Sequence, residues 1–495
     1  MKIRGTNIPL TLFAASIVFG AVFAGCLPTE SRAQDKSAMS DGPAVTAEFK
    51  QAAKESYIFG LGIVSLYRYY TGMALQEGGL NQLVHSRQLA KPGEKPGSGP
   101  NVDTYYSYGW FDLSAEPMVV SLPKFGDTYY VYQLTDIYGR NFHNVGNGLS
   151  TKSPESYKGP YTFMITPPGW KGQVPKGLDQ VKAPGKLVNV LYRIRVTDEA
   201  KDGPDVHKLQ DQSLSLPLSA WVKGERRSIQ VKPAKPLGPM DNVLVYKSGV
   251  TGKDFRHPGY FAQLSKVLTY DPPNTQADKD FLEKTLTKIG FTKDGRFDLK
   301  SLPLEEQAAL LDGQEAGHNE VLAFIPNRGK KVGRALFTSG DTGNYGADFM
   351  LRAGMVFAGG MYPTTQVSRY ADNFTDATGA ALTSEQTYTM RFEKDQFPPV
   401  TTFWSVTVYG EGTYDLVANP INRYKIDPET PGLIYGKDGS LTITLSHNKP
   451  TDATAAANWL PTPNDAYFFM VRFYAPTEPV LKLEYRLPDA VAVGR

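Results

Sequence analysis

Residues 118–134 decide the fold class, and they read Met-Val-Val-Ser-Leu-Pro-Lys-Phe-Gly-Asp-Thr-Tyr-Tyr-Val-Tyr-Gln-Leu. Met118–Leu122 and Thr128–Leu134 are predicted strands, because β-branched and aromatic residues dominate both runs. The segment 123–127 contains proline and glycine and predicts a hairpin connection between them. Alternation along the second strand predicts one face with Tyr130, Tyr132 and Leu134 and the opposite face with Tyr129, Val131 and Gln133.

Other runs of the same kind flank a region of helical spacing in the middle of the chain. Short strands bounded by glycine and proline turns are typical of sandwiches and jelly rolls. The further predicted strands are Tyr161–Ile165, Leu187–Val196, Thr387–Phe392, Thr402–Tyr409, Leu441–Leu445, Tyr467–Tyr474 and Val480–Tyr485.

Apolar residues recur with helical spacing in three places. An apolar face starting at Thr46 predicts a long helix, whose tyrosines are expected to pack rather than to bind a ligand. A second helix has its cap at Asn274 or Thr275 and its stop at Gly290. A third is expected over 304–313.

The chain is therefore predicted to be mainly β with a helical segment, in three folded regions. The first combines the N-terminal helix with a β-sandwich, the second is helical, and the third is a jelly roll or a related sandwich. Their expected bounds are 46–205, 206–340 and 341–495.

The N-terminus predicts export. Lys2 and Arg4 precede an apolar run that is shorter than the about 20 residues of a membrane-spanning helix, so residues 1–33 are interpreted as a signal peptide and 34–45 as a tether. Cleavage after Ala33 gives a periplasmic or secreted protein. A lipobox ending at Cys26 instead gives an outer-membrane lipoprotein, the one case in which membrane contact is expected.

Several kinds of chemistry are excluded by composition. Cys26 is the only cysteine, so the mature body can form no disulfide, thiolate zinc site or iron–sulfur cluster. The six histidines are scattered without ligand spacing, and no nucleophile elbow, P-loop or H-E-x-x-H motif is present. A formal charge of +3 gives no argument for a nucleic-acid partner. We expect no metal and no cofactor.

One candidate site lies among the C-terminal loops. A tryptophan flanked by amide and guanidinium groups suits a sugar, because the ring covers a pyranose face while the polar groups bind hydroxyls or a carboxylate. The competing interpretation is structural, with buried tryptophans and arginine–carbonyl bonds that hold the loops. The candidate residues are Trp404, Asn419, Arg423, Tyr424, Asn458 and Trp459.

A rival site opens the first β region. Asn101, Asp103 and Tyr105 precede or begin a strand, and His143 follows the predicted hairpin, so these side chains could form a polar pocket. The alternative is that Asn101 and Asp103 cap turns while the tyrosines pack.

The ordered motifs of both regions resemble two bacterial families that usually occur together in exported proteins. The first set resembles the domain of unknown function 1254: Asn101–Ser107, Trp110–Leu113, Glu116-Pro117 and Asn141-Phe142. The second set resembles the domain of unknown function 1214: Phe403–Ser405, Asn419-Pro420, Arg423-Tyr424, Asn458–Pro461 and Arg472–Tyr474. Val102 departs from the family pattern, which tends to have a second asparagine there.

The resemblance implies an immunoglobulin-like β-sandwich followed by helices and a C-terminal jelly-roll sandwich. It also implies a function, because a lyase activity on acidic polysaccharide of the alginate type has been attached to part of the family. In such a lyase Tyr424 or His143 would be the base and Arg423 would neutralise the uronate carboxylate. Two alternatives stay open: a non-catalytic periplasmic glycan-binding or envelope protein, and a hydrolase of small esters or amides. Whether the protein is an enzyme is left open.

The export prediction can be tested by mass spectrometry of the protein recovered from the cell envelope. We expect a mature chain that starts at Gln34, or one that carries lipid on Cys26. Cys26→Ser abolishes membrane attachment only in the lipoprotein case. Recovery of the unprocessed chain from the cytoplasm contradicts both.

Overall fold

The computed structural model describes residues 45–94, 99–149, 157–240 and 257–494. The predicted signal peptide, the lipidation candidate Cys26 and all but the last residue of the predicted tether lie outside these ranges. Within them, strands and helices form two β units and a helical core. None of the described helices is long and apolar enough to cross a membrane.

The N-terminal β unit consists of two sheets with an apolar core between them. The five-stranded sheet has the order β1-β2-β8-β4-β5 and the four-stranded sheet the order β7-β6-β3-β9. Tyr130, Tyr132 and Leu134 face this core, as predicted from the alternation. The strands are β1 Val84–His85, β2 Thr104–Asp112, β3 Met118–Leu122, β4 Tyr130–Asp136, β5 Asn141–Gly146, β6 Tyr161–Thr166, β7 Asp179–Lys182, β8 Leu187–Arg195 and β9 Leu214–Pro217.

The predicted hairpin at 123–127 is wrong. β3 pairs with β6 and β9, whereas β4 pairs with β8 and β5 in the other sheet. Every residue of β4 is buried, and a strand that is buried on both faces is stabilised inside a sheet rather than at the free edge of a hairpin. The connection therefore crosses from one sheet to the other.

The C-terminal β unit repeats the arrangement of two sheets around an apolar core. Its six-stranded sheet has the order β10-β11-β12-β18-β14-β15, and its four-stranded sheet the order β17-β16-β13-β19. The strands are β10 Gly329–Val332, β11 Ala335–Thr338, β12 Ser368–Asn373, β13 Tyr388–Phe392, β14 Trp404–Gly410, β15 Lys425–Ile426, β16 Leu441–Ser446, β17 Trp459–Pro461, β18 Tyr467–Tyr474 and β19 Val491–Ala492.

One predicted strand of this unit, Val480–Tyr485, is not a strand. A short helix occupies Glu478–Leu481, with Pro479 in its first turn. Proline fits there because its fixed φ suits a helix and the missing N–H has no partner to lose. Leu483 then adopts a positive φ of 62°, which interrupts an extended chain.

The helical core gathers helices from distant parts of the chain. Thr46 caps the first helix and Thr275 caps the fifth, while Gly290, with φ 94°, ends the 3-10 turn after it, as predicted. Tyr57 and Tyr67 are fully buried, which confirms packing. The helices of this core are α1 Ala47–Tyr69, α4 Tyr260–Tyr270, α5 Gln276–Lys284, α6 Leu304–Phe324 and α7 Phe349–Gly359. The other helices in the described ranges are α2 Glu199–Gln212, α3 Leu218–Val222, α8 Ala453–Ala457 and α9 Glu478–Leu481.

The predicted end of the third helix near Gly313 is wrong, because α6 continues to Phe324. Gly313 lies against α1, and a Cβ atom there would come within 2.6 Å of the Cβ of Ala53. The residue therefore permits close helix packing and does not act as a stop signal.

The two β units meet through a network of buried charges. Asp103, which precedes β2, is fully buried, and its Oδ1 lies 2.8 Å from Nζ of Lys425 on β15. Lys425 also lies 2.8 Å from Asp427, which pairs at 3.0 Å with Arg195 on β8. Asp103, Lys425, Asp427 and Arg195 are called the interface network; the sign of the charge alternates along it, and each unit contributes two residues.

The close packing of α1 against α6 predicts that Gly313→Ala destabilises the protein. Overpacking against the backbone of Ala53 and Lys54 is expected to lower the free energy of unfolding by about 1–3 kcal/mol, even though alanine favours a helix. Gly72→Ala is the matched control, because nothing lies within 4 Å of its Cβ position. Equal melting temperatures for the two variants contradict this account.

The interface network predicts that Asp103→Asn lowers stability at neutral pH by about 3 kcal/mol. Burial raises the pKa of Asp103, but the positive charges of Lys425, Arg195 and Arg472 together lower it by more than burial raises it. The net pKa is therefore well below the ordinary value. The ionised carboxylate therefore contributes stability above about pH 4, and this contribution is lost as the pH falls below that value.

Urea unfolding at a series of pH values measures the effect. We expect Asp103→Asn to flatten the acid limb of the stability profile, whereas Asp205→Asn, at an exposed carboxylate, leaves it unchanged. An unaltered acid limb in Asp103→Asn shows that the network does not hold the two units together.

Candidate functional site

A cavity of about 240 Å³ lies between the outer faces of the five-stranded and six-stranded sheets. We call it the inter-sheet cavity. Methionines and prolines supply much of its apolar wall, and no aspartate or glutamate is among the described residues that line it. Its polar character comes mainly from arginine and tyrosine side chains: Tyr106, Tyr108, Arg193, Tyr362, Tyr370 and Arg472.

Two cross-strand pairs of tyrosine and arginine face this cavity from opposite sides. Tyr106 of β2 is in register with Arg193 of β8. Tyr370 of β12 is in register with Arg472 of β18. Side chains alternate along a strand, so residues that point away from the core of each unit meet here, where the two outer faces are apposed.

Arg193 is the side chain with the most unused hydrogen-bonding capacity. It is 3% exposed, and Nη2 donates to Oε1 of Gln133 at 2.9 Å. Its Nε and Nη1 have no hydrogen-bond partner in the described part of the chain. Burial lowers the pKa of Arg193, but Tyr106, Tyr370 and two further tyrosines raise it, and the net pKa is raised. A buried cation with unmet donors favours an anionic ligand.

Arg472 is held in place by the C-terminal β unit and the loop before β2. Its guanidinium donates to the hydroxyl of Tyr409 at 2.7 Å, the carbonyl of Gly99 at 2.9 Å and Oγ1 of Thr407 at 3.1 Å. Burial lowers the pKa of Arg472, but Tyr409, Tyr474 and Asp103 raise it more. It is therefore a second, fixed positive charge at the cavity.

Two tyrosine hydroxyls at the cavity are available for a ligand. Those of Tyr106 and Tyr370 make no hydrogen bond within the described ranges, whereas Tyr108 donates to Glu77 at 2.6 Å. Burial raises the pKa of Tyr362 to about 12, so this neighbour stays neutral. Across the described residues, no group of three or more histidine, cysteine, aspartate or glutamate side chains is arranged to hold a metal ion.

The C-terminal candidate residues lie away from this cavity. The rings of Trp404 and Trp459 are buried, the first in the core of the C-terminal β unit and the second with Nε1 bonded to the Ser446 carbonyl. Asn458 bonds both backbone groups of Ile434, and Asn419 holds its own loop through the backbone of Arg423.

Arg423 and Tyr424 make separate contacts. Nη1 of Arg423 donates to the carbonyls of Ala457 and Trp459, at 2.7 and 3.0 Å. The hydroxyl of Tyr424 donates to Asn422 at 3.2 Å, and burial raises its pKa, which disfavours a phenolate base. The roles of these residues in binding and catalysis stay predictions.

The rival N-terminal candidates are divided by the fold. Asn101 lines the inter-sheet cavity and donates to the hydroxyl of Tyr474 at 2.7 Å, and its Oδ1 accepts from the backbone of Asp103. Tyr105 points into the opposite, core face and donates to Glu199 at 2.9 Å. His143 is half-buried on the edge strand β5, and burial lowers its pKa, so it is neutral at pH 7. Only Asn101 and Asp103 lie together; the roles of these residues also stay predictions.

Sequence reasoning missed Arg193 and Arg472. A signal was present, because each is a charged residue with an apolar or aromatic neighbour on either side within a predicted strand, Leu187–Val196 and Tyr467–Tyr474. Arginine is seldom fully buried unless it is paired, so an arginine inside a buried strand indicates a specific partner or a ligand.

Two solved structures are similar to this chain, and the first of them supports the fold. A solved structure, the VPA0106 protein from Vibrio parahaemolyticus, matches with a TM-score of 0.66 and 23% identity over 90% of this chain and 100% of that chain. An uncharacterized protein from Burkholderia cenocepacia matches with a TM-score of 0.43 and 11% identity over 90% and 96%. No curated protein matches.

Two family models match separate regions of the sequence. Residues 80–217 match the protein of unknown function DUF1254, and residues 367–478 match the protein of unknown function DUF1214. The first region covers the N-terminal β unit and the second most of the C-terminal one. The chain therefore carries DUF1254 followed by DUF1214 and belongs to the proteins of unknown function that these two family models describe.

Proposed function

We propose that the inter-sheet cavity binds the carboxylate of a uronate unit and that the protein acts on acidic polysaccharide. Arg193 carries this proposal, because it is a buried cation with two nitrogens that lack a partner within the described ranges. A carboxylate would accept hydrogen bonds from both nitrogens in the bidentate manner that guanidinium groups favour. Arg472 adds positive charge, and none of the described residues that line the cavity is an aspartate or glutamate.

The reaction that this arrangement supports is β-elimination. A tyrosine oxygen removes the C5 proton, the electron pair forms a C4=C5 double bond, and the C4–O glycosidic bond breaks while its oxygen takes up a proton. Arg193 would stabilise the negative charge that develops on the carboxylate side of C5. Tyr106 and Tyr370 are the hydroxyls at the cavity that could take part in proton transfer.

The size and lining of the cavity limit which substrates and which reactions are compatible with it. Its volume of about 240 Å³ is small for a ligand pocket and fits one sugar unit, so a chain end suits it better than the middle of a polymer. Hydrolysis of glycosides usually needs two carboxylates, and the cavity offers none among its described lining residues. Binding without turnover is the second candidate, and the same guanidinium supports it.

We also propose a fold type for each β unit and a location for the protein. The paired sheets of the N-terminal unit would be an immunoglobulin-like sandwich and those of the C-terminal unit a jelly roll, which the resemblance of the ordered motifs supports. The protein would be exported, which the basic and apolar composition of residues 1–33 supports.

Arg193→Ala is expected to weaken binding of oligosaccharides from alginate, pectate or hyaluronan by about 2 kcal/mol, or roughly 30-fold. Calorimetry measures binding, and the absorbance of an unsaturated uronide product measures elimination. Arg423→Ala is the matched control, because Arg423 donates to backbone carbonyls of the C-terminal loops. Loss of binding in Arg423→Ala but not in Arg193→Ala places the site in the C-terminal loops instead.

Tyr106→Phe and Tyr370→Phe separate catalysis from binding. At least one of them is expected to lower the elimination rate while the Kd changes little, because a single hydroxyl is removed from the cavity. Tyr105→Phe is the control, since its ring faces the core on the other side of the same strand. Bound oligosaccharide with no absorbance change in the wild-type protein leaves the binding proposal and removes the lyase.

A further inference from the structure

A second cleft, of about 650 Å³, lies beside the six-stranded sheet and is lined by residues of β10, β11, β12 and the loops next to β14 and β18. One wall comes from the end of α6 and from β10 and β11. The opposite wall comes from the loop after β14 and the segment that leads into β18. We call this space the charged cleft. None of its described lining residues also lines the inter-sheet cavity.

The two walls carry opposite charges that are not neutralised. Lys331 and Arg334 lie on the first wall, and Glu411 and Asp465 on the second. In the described part of the chain, none of these four side chains forms a salt bridge. Burial and the charge of Asp465 both raise the pKa of Glu411, as expected for two carboxylates without a cation between them.

Between the walls lies a buried ion pair with spare hydrogen-bonding capacity. Asp372 is 4% exposed, and its Oδ2 pairs with Nη2 of Arg328. Neither Oδ1 of Asp372 nor Nε of Arg328 has a hydrogen-bond partner within the described ranges. The cleft thus offers one unmet acceptor and one unmet donor close together, in addition to the charges at its rim.

Apolar side chains form the remaining lining of the charged cleft. Leu336 and Phe374 line it, and Phe374 stacks on Phe468 with ring centroids 4.7 Å apart. A ligand that fits this lining therefore needs an apolar body as well as charged groups.

We propose that the charged cleft binds a zwitterionic small molecule with an apolar side chain, either a free amino acid or a short peptide. Its ammonium group lies toward Glu411, Asp465 and the free oxygen of Asp372. Its carboxylate lies toward Lys331, Arg334 and Nε of Arg328. A ligand with only one charge would leave the charges of one wall uncompensated. The cleft would therefore bind zwitterions more tightly than ligands that carry a single charge.

Calorimetry on the mature protein tests this with four matched probes: L-leucine, L-leucyl-L-leucine, L-leucinamide and 4-methylpentanoate. At least one of the two zwitterions is expected to bind at least tenfold more tightly than the cation-only amide and the anion-only acid. Preference for leucine or for the dipeptide identifies a free amino acid or a peptide end. Absence of binding by both zwitterions, or equal binding by all four probes, overturns the proposal.

Variants on each wall locate the binding. Glu411→Gln is expected to weaken zwitterion binding about tenfold and to leave 4-methylpentanoate binding unchanged, whereas Lys331→Ala weakens binding of the zwitterion and of the acid. Lys330→Ala is the control, since this exposed neighbour does not line the cleft. Equal effects of Lys330→Ala and Lys331→Ala place the ligand elsewhere and overturn the assignment. Uronate binding at Arg193 is measured separately, so either proposal can fail alone.

Discussion

The buried carboxylate of Asp103 is the constraint on which the arrangement of this molecule depends. A charge without solvent is destabilising by several kcal/mol unless partners compensate it. Here the partners come from the other β unit, because Lys425, Ser405 and Tyr474 all contact its two oxygens. Neither unit can satisfy these groups alone, so the two sheets are held face to face. The inter-sheet cavity is the part of that contact that side chains leave unfilled.

The same apposition explains why the cavity is positively charged. Each sheet presents a tyrosine beside an arginine on its outer face, where a lone strand pair would expose both to water. Closure of the two units removes that water, and the arginines then depend on whatever acceptors remain. Arg472 finds three, whereas Arg193 finds one, Gln133. The site therefore follows from an unequal supply of acceptors at one interface.

Local sequence patterns predicted the positions of most strands and helix ends. The predictions that were wrong concern features that depend on residues far away in the sequence. Alternation located β3, β4 and β18, and cap chemistry located Thr275 and Gly290. The partner of β4 and the continuation of α6 past Gly313 depend on what packs against them, which no window of sequence contains. The candidate site was harder to predict from the sequence than the fold. For Trp404, Trp459 and Arg423 the sequence left a sugar-binding and a structural interpretation open, and the structure buries both tryptophans. The register that joins Tyr106 to Arg193 spans 87 positions, which no local pattern contains.

The inter-sheet cavity and the charged cleft differ in how strongly water and salt screen their charges. This difference bears on the kind of ligand that each could bind selectively. Arg193 is almost fully desolvated, so its attraction for an anion is strong and little screened by salt. Lys331 and Asp465 stand at the rim of the charged cleft in contact with solvent, where ions at physiological strength screen interactions beyond about 8 Å. Affinity in that cleft must therefore come from its apolar floor and from the buried pair of Arg328 and Asp372, with the rim supplying orientation. Under the two proposals, the inter-sheet cavity would select its ligand by charge and the charged cleft by the spacing of two charges.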